Sequence, residues 1–252
     1  MKLTVLGNSA AYPGPNDPCS GYLVQDEGGS ILVDCGSGVL GNLQTHIDLR
    51  DISDIFISHM HADHFFDLIP YRYGLKYGPG GSSGARPRLH LPPGGTKAIN
   101  QVVAPFSESA HFFSAVFDVD EFDPKSTLSA VGLEVAFVAV RHYIPTYAIS
   151  VTGSSRLVYS SDSGQCPELI QIAKDSDLLL CTVGGGLGED IGNLWGHLLP
   201  SEAGVLARDA AARRLLLTHF WPSCNRQAGV NEASLEYGHQ VEAAETNRSY
   251  TF

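Results

Sequence analysis

Residues 55–64 read Ile-Phe-Ile-Ser-His-Met-His-Ala-Asp-His, an apolar run that leads directly into three histidines and an aspartate. Imidazole and carboxylate groups together suit borderline divalent metals such as zinc. His59 and His61 are two positions apart, so an extended backbone places both rings on one side. Asp63 and His64 follow where the chain turns, and they can face a second metal. The stretch therefore predicts half of a two-metal site at the end of a strand.

Three more polar residues follow apolar, strand-like runs, and these are His142, Asp162 and His219. Strand ends can present ligands rigidly into a common cleft. One cation is expected on three histidines: His59, His61 and His142. The second is expected on an aspartate and two histidines: Asp63, His64 and His219. Asp162 would bridge the pair and leave a position open for water. A single-metal structural site or an unliganded histidine cluster remains the alternative on the motif alone.

Composition indicates an ordinary globular protein, because 43% of the 252 residues are hydrophobic. The five cysteines are scattered and never spaced as C-x-x-C, which favours reduced thiols in a cytoplasm. No apolar run of membrane-spanning length occurs, and the first residues resemble a strand rather than a signal peptide. The net charge of −11 opposes non-specific binding to a nucleic-acid backbone. We expect a cytoplasmic protein with no membrane contact and no extended nucleic-acid surface.

Short strands with few long helices recur along the chain, and both halves carry strands, hairpins and then helices. Strands are predicted at residues 3–6, 22–25, 31–34, 55–58, 133–140, 147–151, 157–160, 178–183, 215–218 and 250–252. Helices are predicted at residues 65–77, 167–174, 201–213 and 231–245. This organisation favours two sheets packed together with helices outside. The glycine-rich stretch 78–84 is the best internal break, but it is too short to establish a domain boundary.

Two glycine motifs lie between these predicted elements. Gly36–Gly41 fits G-x-G-x-x-G after a strand, but the acidic residue that a dinucleotide site needs at the end of the next strand is missing. A tight turn beside the metal site is the better interpretation. Gly184–Gly188 is expected to form a mobile rim loop that leads to His197.

The chain resembles the metallo-β-lactamase superfamily, whose signature is H-x-H-x-D-H followed by a later His, Asp and His. The similarity runs from Leu3 to His219. It implies one α/β domain over residues 1–252, folded as a four-layer αββα sandwich, with two zinc ions on the positions given above; manganese or iron is an alternative. Asp34 matches the family aspartate that braces the metal loops.

Within the superfamily, the chain is most similar to the ribonuclease Z-like phosphodiesterases. The similar stretches are 5–9, 142–147, 159–164 and 195–203. This resemblance implies that His197 protonates the leaving oxygen, while Asp63 orients a hydroxide held between the cations. An ordinary histidine at a helix entry is the alternative for His197.

Two departures from that branch bear on the substrate. Members that process tRNA carry a long insertion between the third histidine and the bridging aspartate, whereas His142 and Asp162 are only 20 positions apart. Thr182 stands where the family places a glutamate beside the catalytic histidine, and a threonine cannot raise an imidazole pKa as a carboxylate does. These departures disfavour tRNA maturation, and they leave His197 without the carboxylate that supports a proton donor in the family.

The sequence therefore predicts a dinuclear zinc-dependent hydrolase, specifically a phosphodiesterase acting on small or cyclic nucleotides. Three alternatives stay open: a carboxylic hydrolase of the lactone, thioester or β-lactam type, an RNA 3′-end phosphodiesterase, and a metal-binding or redox protein without hydrolysis. The expected partner is a small phosphodiester or ester substrate, and a homodimer is possible.

Overall fold

The computed structural model describes residues 1–81, 86–107, 109, 111–184 and 195–252. Within these ranges the strands form two sheets of seven. The first sheet contains β1 (Lys2–Gly7), β2 (Gly21–Asp26), β3 (Gly29–Cys35), β4 (Ile52–Phe56), β5 (Arg88–Leu91), β6 (Asp118–Glu121) and β14 (Ser249–Thr251). The second contains β7 (Leu128–Ala130), β8 (Leu133–Ala139), β9 (Tyr147–Thr152), β10 (Arg156–Tyr159), β11 (Leu178–Thr182), β12 (Leu215–Thr218) and β13 (Val241–Ala243).

The two sheets share one pairing pattern. The first has the order β14-β1-β2-β3-β4-β5-β6, antiparallel as far as β3 and parallel from β3 onward. The second has the order β13-β12-β11-β10-β9-β8-β7, parallel from β13 to β10 and antiparallel beyond it. Each sheet thus changes its pairing at a single strand, β3 or β10. Ligands commonly bind outside the carboxyl ends of strands at such a switch.

Seven α-helices lie in the described ranges, and all but the short α2 cover the outer faces of the sheets. They are α1 (Val39–His46), α2 (Ala62–Phe65), α3 (Leu68–Tyr77), α4 (Gly95–Val103), α5 (Pro167–Ala173), α6 (Pro200–Asp209) and α7 (Arg226–Tyr237). One apolar cluster joins the first sheet to α1, α3 and α4, a second lies between the sheets, and a third joins the second sheet to α5, α6 and α7. This arrangement confirms the predicted four-layer αββα sandwich.

Burial follows the position of each strand in its sheet. All four residues of β12 are buried, as expected for a parallel strand with neighbours on both sides and helices outside. The antiparallel β8 instead alternates, with Leu133, Val135 and Phe137 buried and the residues between them more exposed. No helix in the described ranges combines the length and apolarity needed to cross a membrane.

The structure corrects the predicted helix at residues 231–245. Helix α7 ends at Tyr237 because Gly238 adopts a left-handed backbone conformation, with φ 78°. The chain then forms β13, which pairs in parallel with β12. The single helix predicted at residues 65–77 is two helices, α2 and α3, and the strand predicted at residues 55–58 ends at Phe56. Residues 82–84 of the predicted break at 78–84 lie outside the described residues, and the single domain stays a prediction.

Candidate metal centre

The predicted ligands converge at the carboxyl ends of four strands. The loop after β4 carries His59 and His61, and it continues into α2 with Asp63 and His64. The remaining three follow β8, β10 and β12, and these are His142, Asp162 and His219. Potential ligand atoms lie within 4.8 Å of one another in each of two groups, one with His59, His61, His142 and Asp162, the other with Asp63, His64 and His219.

In the first group, three imidazole nitrogens face a common point. His61 Nδ1 lies 3.1 Å from His59 Nε2 and 3.1 Å from His142 Nε2. His142 donates from Nδ1 to the carbonyl oxygen of Gly196 at 2.7 Å. Because a carbonyl can only accept, the proton of a neutral His142 sits on Nδ1 and the lone pair of Nε2 points into the group.

The second group is arranged around the carboxylate of Asp63. Its Oδ2 lies 3.6 Å from His64 Nε2 and 3.3 Å from His219 Nε2. The backbone N–H of Ala11 also donates to this oxygen, at 2.8 Å. The sequence does not predict this hydrogen bond. It depends on a positive φ of 59° at Ala11, and no local sequence motif indicates that conformation.

Asp162 stands between the two groups. Its Oδ2 lies 3.8 Å from His59 Nε2 and 3.8 Å from His142 Nε2 in the first group. The same oxygen lies 3.6 Å from His64 Nε2 and 3.4 Å from His219 Nε2 in the second. A carboxylate in this position can contact a cation in either group.

Asp34 lies beneath the candidate ligands and links the segments that carry them through hydrogen bonds. Its side chain is fully buried and accepts hydrogen bonds from Ser58 N–H and Oγ at 2.8 and 2.9 Å. It also accepts from His64 Nδ1 at 2.7 Å and from the Tyr159 hydroxyl at 3.0 Å. The bond to His64 leaves Nε2 of that ring directed at the second group.

The tight turn predicted at Gly36–Gly41 also serves this site. A Cβ atom on Gly36 would lie 1.9 Å from the carbonyl oxygen of Asp63, so only glycine permits this approach. Gly38 adopts φ 91° and precedes α1. The structure thus supports a packing role for the motif rather than a dinucleotide site.

The electrostatics of the cluster suit cations. Asp34, Asp63 and Asp162 are all buried, and no Lys or Arg in the described ranges forms an ion pair with them. Burial raises the pKa of Asp63 and Asp162, but adjacent histidines outweigh this effect and hold both pKa values below the usual range. Burial would lower the pKa of His64, yet the surrounding carboxylates raise it well above its usual value. A proton on His64 therefore supplies the positive charge that a metal can supply instead.

In the first group, burial outweighs the carboxylates in setting the pKa values of the histidines. Burial is the largest influence on its histidines, and it lowers the pKa of His59, His61 and His142. Neutral imidazole is the form that binds metals.

Two buried polar atoms give a further test of whether these residues suit metal ions. His64 Nε2 and Asp162 Oδ1 have no hydrogen-bond partner within the described residues. A buried polar atom left in this state costs about 1–3 kcal/mol. Metal coordination would satisfy both atoms, and the imidazole and carboxylate donors are those preferred by zinc and related divalent metals. The residues present therefore fit divalent cations.

His197 lies beside the cluster, and no carboxylate among the described residues is within hydrogen-bonding range of its ring. Its ring stacks on that of His219, with centroids 5.8 Å apart, and its Nδ1 is 3.9 Å from Asp162 Oδ2. Burial lowers the pKa of His197 to about 4, although Asp162 acts in the other direction. Thr182 donates to the carbonyl oxygen of Ser161 at 2.7 Å, which fixes two strand ends together. The predicted rim loop falls largely on residues 185–194, which lie outside the described ranges.

A separate cleft of about 800 Å³ lies at the end of α6 and α7. Three arginines line it, but each is already paired with a carboxylate, as in the contacts of Arg213 with Asp177 and Arg214 with Glu242. None of the predicted ligands lines this cleft, so the chemistry is assigned to the histidine and aspartate cluster.

Comparison with known proteins places the chain in a family. A family model described as anti-Pycsar protein Apyc1 matches residues 1–182. The chain belongs to this family. It is 31% identical over 257 residues to the uncharacterized protein Rv1339 of Mycobacterium tuberculosis, covering 99% of this chain and 92% of that protein. It is also 32% identical over 221 residues to the probable metallo-hydrolase YhfI of Bacillus subtilis, covering 87% of each chain.

Solved structures of relatives agree with the architecture. The metallo-β-lactamase fold protein YhfI of Bacillus subtilis matches with a TM-score of 0.85 and 28% identity, over 99% of this chain and 98% of that one. The short form of human tRNase Z matches with a TM-score of 0.77 over 100% and 99% of the two chains, but at 24% identity it shows the fold alone. The family member described here is a hydrolase with the metallo-β-lactamase fold, related to ribonuclease Z.

Proposed function

We propose that this chain is a phosphodiesterase that acts on small or cyclic nucleotides and works with two divalent cations, zinc being the first choice. The observation that carries the proposal is the position of Asp162, whose Oδ2 is within 3.8 Å of ligand nitrogens in both groups. A single structural metal would occupy only one of these groups and would leave the buried histidines and carboxylate of the other without a ligand.

The ligand roles follow from the geometry. His59, His61 and His142 would hold one cation, and Asp63, His64 and His219 the other, with Asp162 shared. When bound, two such cations supply an activated water and neutralise charge on the phosphoryl oxygens. The N–H of Ala11 fixes the Asp63 carboxylate, so that it can orient the attacking water. His197 lies on the side of His219 and Asp162, where it can meet a leaving oxygen.

The connections between strands favour a small substrate. Residues 142 and 162 are joined by the hairpin of β9 and β10, whose strands pair directly. No arm that could grip a tRNA is inserted there. The net charge of −11 also opposes a long polyanionic ligand, whereas a single phosphodiester would be attracted by the two cations.

A screen of the metal-loaded protein tests the proposal. The substrates are cyclic nucleotides, an RNA with a 3′ extension, a lactone and a thioester, and metal content is measured in parallel. We expect hydrolysis of cyclic nucleotides with about two metal ions per chain. Exclusive turnover of the lactone or thioester would replace the proposal with a carboxylic hydrolase, and stoichiometric iron without any hydrolysis would replace it with a redox protein. A cytoplasmic location and a homodimer stay predictions.

A further inference from the structure

Two exposed aromatic rings lie at the edge of the metal centre. Tyr143 and Trp195 are 54% and 53% exposed, and their ring centroids are 6.0 Å apart. Tyr143 directly follows the candidate ligand His142, and its ring lies 5.0 Å from that of His142 and 5.9 Å from that of His197. Large aromatic side chains that remain this exposed beside a polar site are typical of ligand contact.

The backbone fixes these rings relative to the ligands. A Cβ atom on Gly196 would lie 2.8 Å from both His142 Nδ1 and the Tyr143 ring, so the Trp195 segment packs directly on the segment that carries the ligand. On the other side, a Cβ atom on Gly164 would lie 2.2 Å from the carbonyl oxygen of Trp195. The aromatic pair is therefore held in place by the same strand ends that position His142 and Asp162.

Arg141 adds a cation to this edge. Its guanidinium carbon lies 4.6 Å from the centroid of the Trp195 ring, within the range of a cation–π interaction. The backbone of Arg141 is also fixed, because the N–H of Gly164 donates a hydrogen bond to the Arg141 carbonyl oxygen at 2.8 Å. The guanidinium thus limits rotation of the indole and places positive charge near the site of a chain that is acidic overall.

We propose that Tyr143 and Trp195 form a stacking platform for the nucleobase of a substrate whose phosphate binds at the metal centre. This inference rests on the proposed function and assigns to these two side chains the contact with the base of its nucleotide substrate. Aromatic side chains stack on the faces of purines and pyrimidines alike. The platform would therefore favour nucleotides over phosphodiesters without a base, and it would discriminate little between bases.

Binding of AMP and ribose 5-phosphate, which differ only in the base, gives a direct test. Dissociation constants are measured by calorimetry on the zinc-loaded protein and its variants. Wild type should bind AMP about 5- to 150-fold more tightly than ribose 5-phosphate, the range given by one stacked base. Trp195→Ala should abolish that preference, Trp195→Phe should keep most of it, and UMP should behave as AMP does. Metal content and thermal unfolding confirm that each variant is folded and loaded.

Trp221 provides the matched control. It is the second of two tryptophans in the chain, is 38% exposed, and its ring contacts Tyr12 rather than Tyr143. Trp221→Ala should keep the preference for AMP. In Trp221→Phe, the tryptophan fluorescence comes from Trp195 alone, and AMP should quench it while inorganic phosphate does not.

The outcomes separate this inference from the proposed function. Equal affinity for AMP and ribose 5-phosphate in wild type, or an equal loss of preference in Trp221→Ala, would overturn the platform even if cyclic nucleotides are hydrolysed. A preference that depends on Trp195, in a protein that hydrolyses no phosphodiester, would support the platform and reject the proposed reaction.

Discussion

The two halves of the molecule contribute to the metal centre in different ways. The first half delivers four ligands from one short stretch after β4, between residues 59 and 64. The second half delivers His142, Asp162 and His219 from three separate strand ends. A contiguous motif needs only a local turn to bring its side chains together, whereas scattered ligands depend on the whole sheet. The second half should therefore be where the site is most sensitive to the fold.

The two strands at which pairing changes, β3 and β10, make this dependence concrete. Asp34 lies near the end of β3, and Asp162 follows β10. The hydroxyl of Tyr159, the last residue of β10, donates to Asp34 and links the sheets beneath the cluster. Asp34, Ser161 and His219 all adopt positive φ values, between 51° and 62°, which non-glycine residues rarely do. Three strand ends at the site therefore depend on a backbone conformation that the local sequence does not favour.

The largest effect is expected from Asp162→Asn, since this residue of the second half serves both groups. The amide keeps the shape but loses the charge, so both cations should bind more weakly. Mutation of a group that only hydrogen-bonds to a metal ligand typically lowers metal affinity or activity about 10–100-fold, and loss of a ligand should have a larger effect. We expect kcat/KM to fall by more than about 100-fold and the metal content to drop below two ions per chain.

Asp177→Asn is the control for Asp162→Asn. Asp177 belongs to the same half and pairs with Arg213 away from the cluster. Its variant should keep full metal content. If Asp162→Asn retained two tightly bound ions and normal turnover, the shared role of Asp162 would be wrong.

The next effect concerns Asp34, which joins the two halves without lying in either ligand group. Ser58, His64 and Tyr159 all donate hydrogen bonds to the Asp34 carboxylate. Asp34→Asn replaces one accepting oxygen with an NH₂ group, which would face these donors and accept none of their bonds. We expect metal affinity to fall by about 10–100-fold. A competition titration with a chelator measures this change. Tyr159→Phe removes one of these bonds and should have a smaller effect in the same direction; a larger effect than Asp34→Asn would contradict the assignment.

His197 tests whether the second half also supplies a proton donor. His197→Ala should lower kcat by at least about tenfold, because general acid catalysis typically contributes 10²–10⁴-fold. Metal content should stay unchanged, as His197 is assigned to neither group. His111→Ala changes an exposed histidine elsewhere and should leave kcat as it is. Loss of metal from His197→Ala would instead make this residue a ligand, an arrangement the geometry also permits, since it lies with Asp162 and His219.

The sequence located the residues that cluster in the structure more accurately than it located the ends of the helices. The motif at 59–64 and the strand-end residues His142, Asp162 and His219 could be recognised because each follows a short apolar run, and the structure brings all of them together. Helix α7 was extended too far because the residues after Gly238 do not show that they will pair with β12. The N–H of Ala11 and the strained φ of Ser161 could not be predicted, because only the packing of distant segments imposes them.

The smallest effect on catalysis, and the clearest on stability, is expected from Asp54 on β4, which is fully buried within the first sheet. Burial raises its pKa, but hydrogen bonds from His90 and Arg88 outweigh this and keep the pKa below the usual range. Such a group stabilises the fold above its unfolded pKa of about 3.9, and the contribution is lost as the pH falls through the lower folded value. Asp54→Asn should reduce the free energy of unfolding by about 1–3 kcal/mol at pH 7.

The pH dependence separates this electrostatic contribution from a packing defect. The stability difference between wild type and Asp54→Asn should shrink below about pH 4, where the carboxyl is protonated first in the unfolded chain and, at still lower pH, in the folded protein. Urea unfolding at pH 7, 5, 4 and 3 measures it. Asp118→Asn removes a surface partner of Arg86 and should cost less than about 1 kcal/mol. A difference for Asp54→Asn that stays constant down to pH 3 would show that shape, rather than charge, is what this aspartate contributes. Turnover at pH 7 should be unchanged, because the network of Asp54, Arg88 and His90 supports the strand that carries the motif without contacting its ligands.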